Sequence, residues 1–228
     1  IIEKIERTDK EIVTKFNQLL QNYDSVTCAV SDSMDRFNAM NSTMKPLFDG
    51  IRIAGTAVTV KTLASDLAAA FKAIDLCQPG DIIVIDSNQS TQTAFWGENM
   101  TMSAMNKGVV GAIVDGCCRD VSEIRKLKFP VYSKGIVPNV AAIAGYGHVN
   151  VTIQCAGVAV HPGDVIIADE NGVVVVPKDE AEEILHKTTH LLETEHILQE
   201  KIKQGATIGE LVKIDDVFNQ VFAYQKRA

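Results

Sequence analysis

Apolar runs of strand length alternate with helix-like segments through the first half of this chain. Ile51–Thr62 is rich in β-branched residues, Gln78–Asp86 leads through a Pro-Gly-Asp turn into an apolar run, and Val109–Asp115 is almost continuously apolar. Between them lie Leu67–Asp75 and residues 98–108, which have the composition of helices. Strands that are apolar on both sides are typical of parallel sheets covered by helices. The alternation therefore predicts an α/β core.

The N-terminal region predicts a helix that leads into this core. Residues 9–23 show apolar positions at helical spacing, and Asp9 is the predicted N-cap. Residues 25–37 are predicted to enter the core as a short strand followed by a turn or the start of a helix. Ser31 or Asp32 would then cap that helix.

The second half of the chain changes character. Residues 149–176 predict successive strands separated by turns, and residues 179–204 predict a long, charge-rich helix. No linker rich in Pro, Gly or Ser divides the chain. We therefore predict one domain with three parts: an N-terminal helix over 1–24, the α/β core over 25–178, and a C-terminal helical extension over 179–228.

The stretch from Gly97 to Glu123 carries the candidate chemistry. It places Glu98 at the start of a predicted helix, and Arg119 followed by Asp120 after the next strand. A helix and its return strand would bring both ends to one rim of a sheet, so these side chains can face one pocket. Carboxylate oxygens suit Mg²⁺ or Mn²⁺, and a guanidinium suits a carboxylate. The pattern predicts a site that binds a divalent cation together with a small carboxylate.

Each of these residues also has a purely structural interpretation. Asp120 could cap the helix that follows it, and Glu98 could be a first-turn acid stabilised by the helix dipole. Arg119 could form a surface salt bridge with Glu123 or Asp115. The residue types alone leave both interpretations open.

This stretch resembles the RraA-like family, which includes the 4-hydroxy-4-methyl-2-oxoglutarate aldolases and the RraA regulators of ribonuclease E. The motifs that carry the resemblance are GENM (97–100), GVVGAIVDGCCRDVSEI (108–124), Asp32–Met34, GTAVT (55–59) and PGDVIIADENGVVVVP (162–177). The resemblance extends over residues 25–205, most of the chain.

The resemblance implies a fold, an activity and residue roles. The fold is a swivelling β/β/α domain of the phosphohistidine-domain type, assembled as a homotrimer or as a hexamer of two trimers. The activity is that of a class II, metal-dependent aldolase that also decarboxylates oxaloacetate, releasing pyruvate. Asp120 would be the protein ligand of Mg²⁺ or Mn²⁺, Glu98 would contact the ion through water, and Arg119 would bind the pyruvyl unit. The backbone amides of Gly97, Glu98, Asn99 and Met100 would bind the substrate carboxylate.

Two points about the resemblance concern residues outside this stretch. The base for the C4 hydroxyl would come from the C-terminal region of a neighbouring subunit, where Glu195 and Glu200 are both candidates. Family aldolases have an active-site lysine in the segment that corresponds to residues 139–150, which contains none here, and Lys134 lies earlier. This departure predicts altered recognition of a doubly carboxylated substrate. Decarboxylation of oxaloacetate, or cleavage of a different 2-oxo acid, would survive the change.

The family contains regulators as well as enzymes, so the alternative hypothesis is a non-catalytic RraA-type regulator that binds a protein partner. Retention of Glu98, Arg119 and Asp120 favours the enzyme. A net charge of −7 and a pI near 5.2 argue against a basic nucleic-acid-binding face. No secretory signal and no apolar run of about 20 residues is present, so we expect a soluble, cytoplasmic protein without membrane partners.

The five cysteines predict reduced, mostly buried thiols, because their number is odd and their spacing is not that of a disulfide framework. Cys117 and Cys118 lie next to Arg119. Neighbours on a strand point to opposite faces, so we do not expect these two thiols to share a metal ion.

Overall fold

The computed structural model describes residues 1–225, with side chains as far as Phe222. Its helices are α1 (Lys10–Asn22), α2 (Val26–Ser33), α3 (Ala68–Leu76), α4 (Glu98–Asn106), α5 (Val121–Leu127), α6 (Ala181–Lys203), α7 (Ile208–Leu211) and α8 (Ile214–Gln225). Its strands are β1 (Lys45–Pro46), β2 (Ile53–Lys61), β3 (Asp81–Asp86), β4 (Gly111–Cys118), β5 (Val131–Ile136), β6 (His148–Val149), β7 (Ile153–Cys155), β8 (Val158–Val160), β9 (Val165–Asp169) and β10 (Gly172–Val176). The chain divides into two units, Ile1–Thr188 and Thr189–Ala228.

The first unit is built on a mixed sheet with the strand order β1-β5-β4-β3-β2-β9-β10. Strands β2, β3, β4 and β5 run parallel to one another, whereas β1, β9 and β10 pair with antiparallel neighbours. The short β6 pairs with the end of β2, and β7 and β8 form a separate hairpin. The predicted α/β class is confirmed, and its parallel part is the predicted run of apolar strands.

Alternate residues of the central strands enter two different apolar cores. On one face, Ile83, Ile85 and Val114 pack with side chains of α3, α4 and α5. On the other face, Val84 and Ile113 pack with the β7–β8 hairpin and with β9 and β10. Because both faces are covered, β2, β3 and β4 are buried along almost their whole length, as their composition predicts.

The N-terminal prediction was right for α1 and wrong for the segment after it. Asp9 caps α1 through its side chain, which accepts a hydrogen bond from the amide of Glu11. The expected strand within residues 25–37 is instead the helix α2. The carboxylate of Asp169, at the end of β9, accepts hydrogen bonds from the amide and the hydroxyl of Thr27 (2.9 and 2.6 Å). This carboxylate caps α2 from 142 residues away, so no local cap at Ser31 or Asp32 is needed.

The predicted long C-terminal helix begins as a 3₁₀ turn at Lys178–Glu180 and continues as α6. In the second unit, α7 begins with a reciprocal cap in which the side chains of Thr207 and Glu210 each accept from the other residue's amide. No helix within residues 1–225 is long and apolar enough to cross a membrane. The proposed divisions at residues 24 and 178 stay a prediction.

Candidate active site

The candidate site lies where β3 and β4 end, at the carboxyl edge of the parallel strands. The loop that leaves β3 returns beside β4, where the amide of Phe95 donates to the carbonyl of Cys117 (2.8 Å). The next bond between the two segments runs the other way, from the amide of Arg119 to the carbonyl of Trp96 (2.9 Å). This pairing places Gly97 beside Arg119 and Asp120, so the predicted proximity of the two motifs is found in the fold.

Asp120 contacts the start of α4 rather than the start of its own helix. Its Oδ2 accepts a hydrogen bond from the amide of Glu98 (3.1 Å) and lies 3.4 Å from Nε of Arg119. Asp120 does precede α5, with a φ of 55°, but its side chain makes no capping hydrogen bond to that helix. The local capping interpretation is therefore wrong for the side chain. The alternative ion pairs of Arg119 with Glu123 or Asp115 are replaced by the pair with Asp120.

Position 97 has no room for a side chain, so glycine is required there. Its φ of −159° is extended backbone that any residue adopts. A Cβ at this position, however, would lie 2.6 Å from Oδ2 of Asp120 and 3.3 Å from Cγ of Arg119. Glycine thus allows the Asp120 carboxylate to approach the first turn of α4.

Buried polar contacts hold the first turn of α4 in place. The indole Nε1 of Trp96 donates to Oγ1 of Thr101 (2.9 Å), and that hydroxyl donates to the carbonyl of Gly97 (3.0 Å). The Trp96 ring also stacks on Phe129 with a centroid distance of 6.0 Å. Sequence reasoning missed the role of Thr101, for which the spacing of four residues from Gly97 within a predicted helix was the available signal.

A cavity of about 530 Å³ opens at this edge of the sheet. Among the predicted site residues it is lined by Gly97, Asn99, Met100, Arg119 and Asp120. Glu98 is not among the lining residues, and its described contact is made by its backbone amide. The cavity also has apolar walls that sequence analysis did not assign to the site, including Phe71 on α3 and Val140 and Ile143 in the loop after β5.

The free amides at the start of α4 are fewer than predicted. The amide of Glu98 is bound to Asp120, and the amide of Thr101 to the carbonyl of Gly97. The amides of Gly97, Asn99 and Met100 have no acceptor within residues 1–225, as expected at the start of a helix. These three amides therefore remain for an anionic ligand.

The donor set around Asp120 fits a hydrated magnesium or manganese ion. Its side chain is 35% exposed, and both of its described contacts use Oδ2. Within the described residues, no three side chains of His, Cys, Asp or Glu come together as a metal-binding group. A hard ion that keeps several waters and uses one carboxylate suits such a site, whereas an ion such as Zn²⁺, which needs three or four protein ligands, does not.

Lys134 does not compensate for the lysine absent from residues 139–150. It lies on β5 and forms a buried ion pair with Asp115 on β4; the two side chains are 9% and 0% exposed. Oδ2 of Asp115 also accepts from the amide of Ala156, which belongs to the core on the hairpin side of the sheet. Lys134 is therefore committed to the face opposite α3, α4 and α5.

The two candidates for the catalytic base, Glu195 and Glu200, lie on α6. Glu195 is exposed, and Glu200 pairs with Lys203 on the same helix (2.7 Å). Both belong to the second unit, and the assignment of either as the base stays a prediction.

The cysteines behave as structural thiols. Cys28 is exposed and the other four are buried. Burial raises the pKa of both Cys117 and Cys118, so these thiols stay protonated at neutral pH. Their sulfurs contact different partners, the carbonyl of Thr91 and the hydroxyl of Ser133, which agrees with the expectation that they do not share an ion.

Comparison with known proteins places this site in context. The RraA-like family model, described as Aldolase/RraA, matches residues 27–175. A Halalkalibacterium halodurans protein, named only provisionally as a 4-hydroxy-4-methyl-2-oxoglutarate aldolase, is 37% identical over 161 residues, 71% of this chain and 77% of its own. The 4-hydroxy-4-methyl-2-oxoglutarate aldolase of Thermus thermophilus is 30% identical over 152 residues, 67% of this chain and 92% of its own.

A solved structure matches over most of the fold. It is Streptomyces coelicolor RraAS2, described as an unusual member of the RNase ES inhibitor RraA family. Its TM-score is 0.74 at 27% identity, and the match covers 86% of this chain and 100% of the other. This likeness confirms the fold expected from the sequence resemblance.

Proposed function

Since this chain belongs to the RraA-like family, we propose that it is a divalent-metal-dependent lyase that releases pyruvate from a 4-hydroxy-2-oxo acid and from oxaloacetate. The observation that carries the proposal is the convergence of Asp120, Arg119 and the first turn of α4 on one cavity. A carboxylate, a guanidinium and free amides are the groups required to hold a hydrated cation and a 2-oxo acid side by side.

Substrate binding would use the cations and amides of the site. The guanidinium of Arg119 presents a planar fork that matches a carboxylate, and the amides of Asn99 and Met100 add two further donors. Asp120 would hold Mg²⁺ or Mn²⁺, with Glu98 contributing through water. When bound, the ion would act as a Lewis acid toward the 2-oxo group.

Bond cleavage would place negative charge on the oxygen of the 2-oxo group, where Arg119 would stabilise it. In the aldol reaction the C3–C4 bond breaks, the C4 hydroxyl loses its proton to become a carbonyl, and C3 gains a proton to give pyruvate. In decarboxylation, carbon dioxide leaves in place of the carbonyl product. Glu195 or Glu200 from a neighbouring subunit of a homotrimer or hexamer would take the hydroxyl proton.

The direct experiment measures pyruvate release from oxaloacetate and from 4-hydroxy-4-methyl-2-oxoglutarate, with Mg²⁺, with Mn²⁺ and with EDTA. We expect release that EDTA abolishes and that either ion restores. Reactions with the same ion but without protein are needed, because free divalent ions decarboxylate oxaloacetate slowly. Absence of release from both substrates by a protein that binds the ion would contradict activity on these two acids. It would shift the weight to another 2-oxo acid or to the regulator, which the RraA relative suggests.

Replacing Arg119 by lysine should lower kcat/KM for oxaloacetate by about a hundredfold, because lysine cannot reproduce the forked contact. The matched control is Arg125→Lys on α5, whose guanidinium bonds the carbonyl of Leu47 and does not line the cavity. Steady-state kinetics at saturating Mg²⁺ measure kcat/KM of the two variants and of the unmodified protein. Equal loss in both variants would show that the effect is general rather than specific to the site.

Replacing Gly97 by alanine should weaken Mn²⁺ binding by about tenfold, because the new methyl group must displace the Asp120 carboxylate. The unfolding temperature should change little, since alanine adopts this backbone conformation readily. Calorimetric titration with Mn²⁺ measures the affinity. Met105→Ala, an exposed change on the same helix, serves as the control. Unaltered affinity in the glycine variant would argue against Asp120 as the ligand.

A further inference from the structure

Beyond its polar end, the cavity is apolar. Its walls include Leu67, just before α3, and Phe71 on α3. Trp96 and Met100 around the start of α4, and Val140 and Ile143 in the loop after β5, complete the apolar part. Phe71, Val140 and Ile143 are 38%, 46% and 68% exposed, so large apolar surface faces the opening. A ligand that enters the cavity would remove part of this surface from water.

The apolar loop is held in place by backbone hydrogen bonds. The amide of Ala141 donates to the carbonyl of Ala94 (3.2 Å), and the amide of Leu67 donates to the carbonyl of Ala142 (2.8 Å). These bonds flank the positions of Val140 and Ile143 and tie the loop to both sides of the cavity. The apolar wall is therefore part of the folded framework.

The charges that line the cavity are already paired. Arg119 lies against Asp120, and Nζ of Lys72 lies 3.4 Å from Oδ2 of Asp75. Lys134 is buried in its pair with Asp115, and residues 139–150 contribute no lysine. Arg119 and the free amides of α4 can bind one carboxylate. A second carboxylate on the substrate would lie against the apolar walls, where a charge loses hydration. Among the described lining residues the one further cation is Lys72, which already faces Asp75.

We propose that the substrate is a 4-hydroxy-2-oxo acid whose C4 carries an alkyl group rather than a second carboxylate. This inference rests on the proposed lyase activity and narrows its substrate class. For an ethyl group at C4, breaking the C3–C4 bond of 4-hydroxy-2-oxohexanoate gives propanal and pyruvate. The C4 hydroxyl proton is lost to the base, and a proton is added at C3, so no oxidant or reductant is needed. The alkyl group packs against Phe71, Val140 and Ile143.

The test compares matched ligands that differ at C4. For cleavage, 4-hydroxy-2-oxohexanoate is compared with 4-hydroxy-2-oxoglutarate, and we expect kcat/KM to favour the ethyl compound by about tenfold or more. For binding, 2-oxohexanoate is compared with 2-oxoglutarate by calorimetry in the presence of Mg²⁺. These two acids lack the C4 hydroxyl and cannot be cleaved. We expect a dissociation constant about tenfold lower for 2-oxohexanoate.

Three variants tie the preference to named residues. Val140→Lys and Ile143→Lys each place a cation in the apolar wall, and either should shift the binding preference toward 2-oxoglutarate by about tenfold. Lys72→Met removes the cation paired with Asp75 and should leave the ratio of the two dissociation constants unchanged. Selective loss of 2-oxoglutarate binding in Lys72→Met would show that Lys72 recognises a second carboxylate, and would overturn the proposal.

The outcomes separate this inference from the lyase assignment. Cleavage of both substrates with equal or better kcat/KM for 4-hydroxy-2-oxoglutarate overturns the alkyl preference and leaves the lyase intact. Tighter binding of 2-oxohexanoate without cleavage of any substrate supports the preference for an alkyl group at C4 and contradicts the lyase activity. Failure of both 2-oxo acids to bind overturns both.

Discussion

Replacing Asp120 by alanine should reduce pyruvate release from oxaloacetate by about a thousandfold and should weaken Mn²⁺ binding by about a hundredfold. The reason is that this carboxylate is the protein oxygen donor placed beside Arg119 and the first turn of α4. The side chain is 35% exposed, so the fold should survive its removal. Steady-state kinetics and calorimetric titration measure the two effects, and far-UV circular dichroism checks the fold.

Asp120→Asn separates the two possible roles of this residue. Asparagine keeps an oxygen that can accept from the amide of Glu98, but it lacks the negative charge that a divalent ion requires. We expect Asp120→Asn to be nearly as inactive as the alanine variant. Asp179→Ala, an exposed change in the turn before α6, should behave like the unmodified protein. Full activity of the asparagine variant would mean that Asp120 only caps α4, and that the metal site lies elsewhere.

Replacing Lys134 by methionine should lower the free energy of unfolding by about 3–5 kcal/mol, because it leaves the carboxylate of Asp115 buried without its counter-ion. For a domain of this size, that loss corresponds to a fall in the unfolding midpoint on the order of 10 °C. Urea and thermal unfolding, followed by the fluorescence of the buried Trp96, measure the change.

Two further variants test whether the buried charge causes this loss. Lys187→Met breaks an exposed pair with Glu183 one helical turn away and should leave the midpoint nearly unchanged. Adding Asp115→Asn to Lys134→Met removes the stranded charge and keeps an acceptor for the amide of Ala156, so part of the stability should return. A single Lys134→Met variant as stable as the unmodified protein would contradict the argument.

The position of Lys134 also bears on function. A lysine near the end of β5 is a candidate to replace the one absent from residues 139–150. Its partner Asp115, however, points into the core shared with the hairpin, whereas Arg119 and Asp120 follow the strand on the helix side. Strand residues alternate between the two faces of the sheet. The Lys134–Asp115 ion pair therefore lies on the face opposite the cavity, although it is only a few residues from Arg119 and Asp120. This placement keeps Lys134 away from the cavity, whose apolar walls include Phe71, Val140 and Ile143.

Periodicity and composition were sufficient for the central architecture. The β-branched and apolar runs correspond to β2, β3 and β4, and the spacing between GENM and RD matches a helix with its return strand. These features are local: a buried parallel strand must be apolar on both faces, and a capped helix shows its cap a few residues away. The proximity of Gly97 to Arg119 followed from this local pattern because β3 and β4 are neighbours.

Other features depend on partners that are distant in sequence. The side chain of Ser25 makes no capping hydrogen bond to α2, and the carboxylate of Asp169 at the end of β9 binds the first turn of that helix instead. β4 continues to Cys118, beyond the predicted end at Asp115, because Cys117 and Cys118 still pair with β5. In both cases the stabilising group lies in another strand, which no local pattern identifies.

The sequence by itself determined the α/β class, the order of the buried strands along the chain and the residue types at the site, because these depend on burial and on short-range geometry. Only the tertiary structure decided that Asp120 caps α4 rather than α5, that Lys134 neutralises Asp115, and that Val140 and Ile143 form a cavity wall. Each of these follows from the direction of a side chain relative to a distant element, and that direction exists only once the sheet and its covering helices have packed.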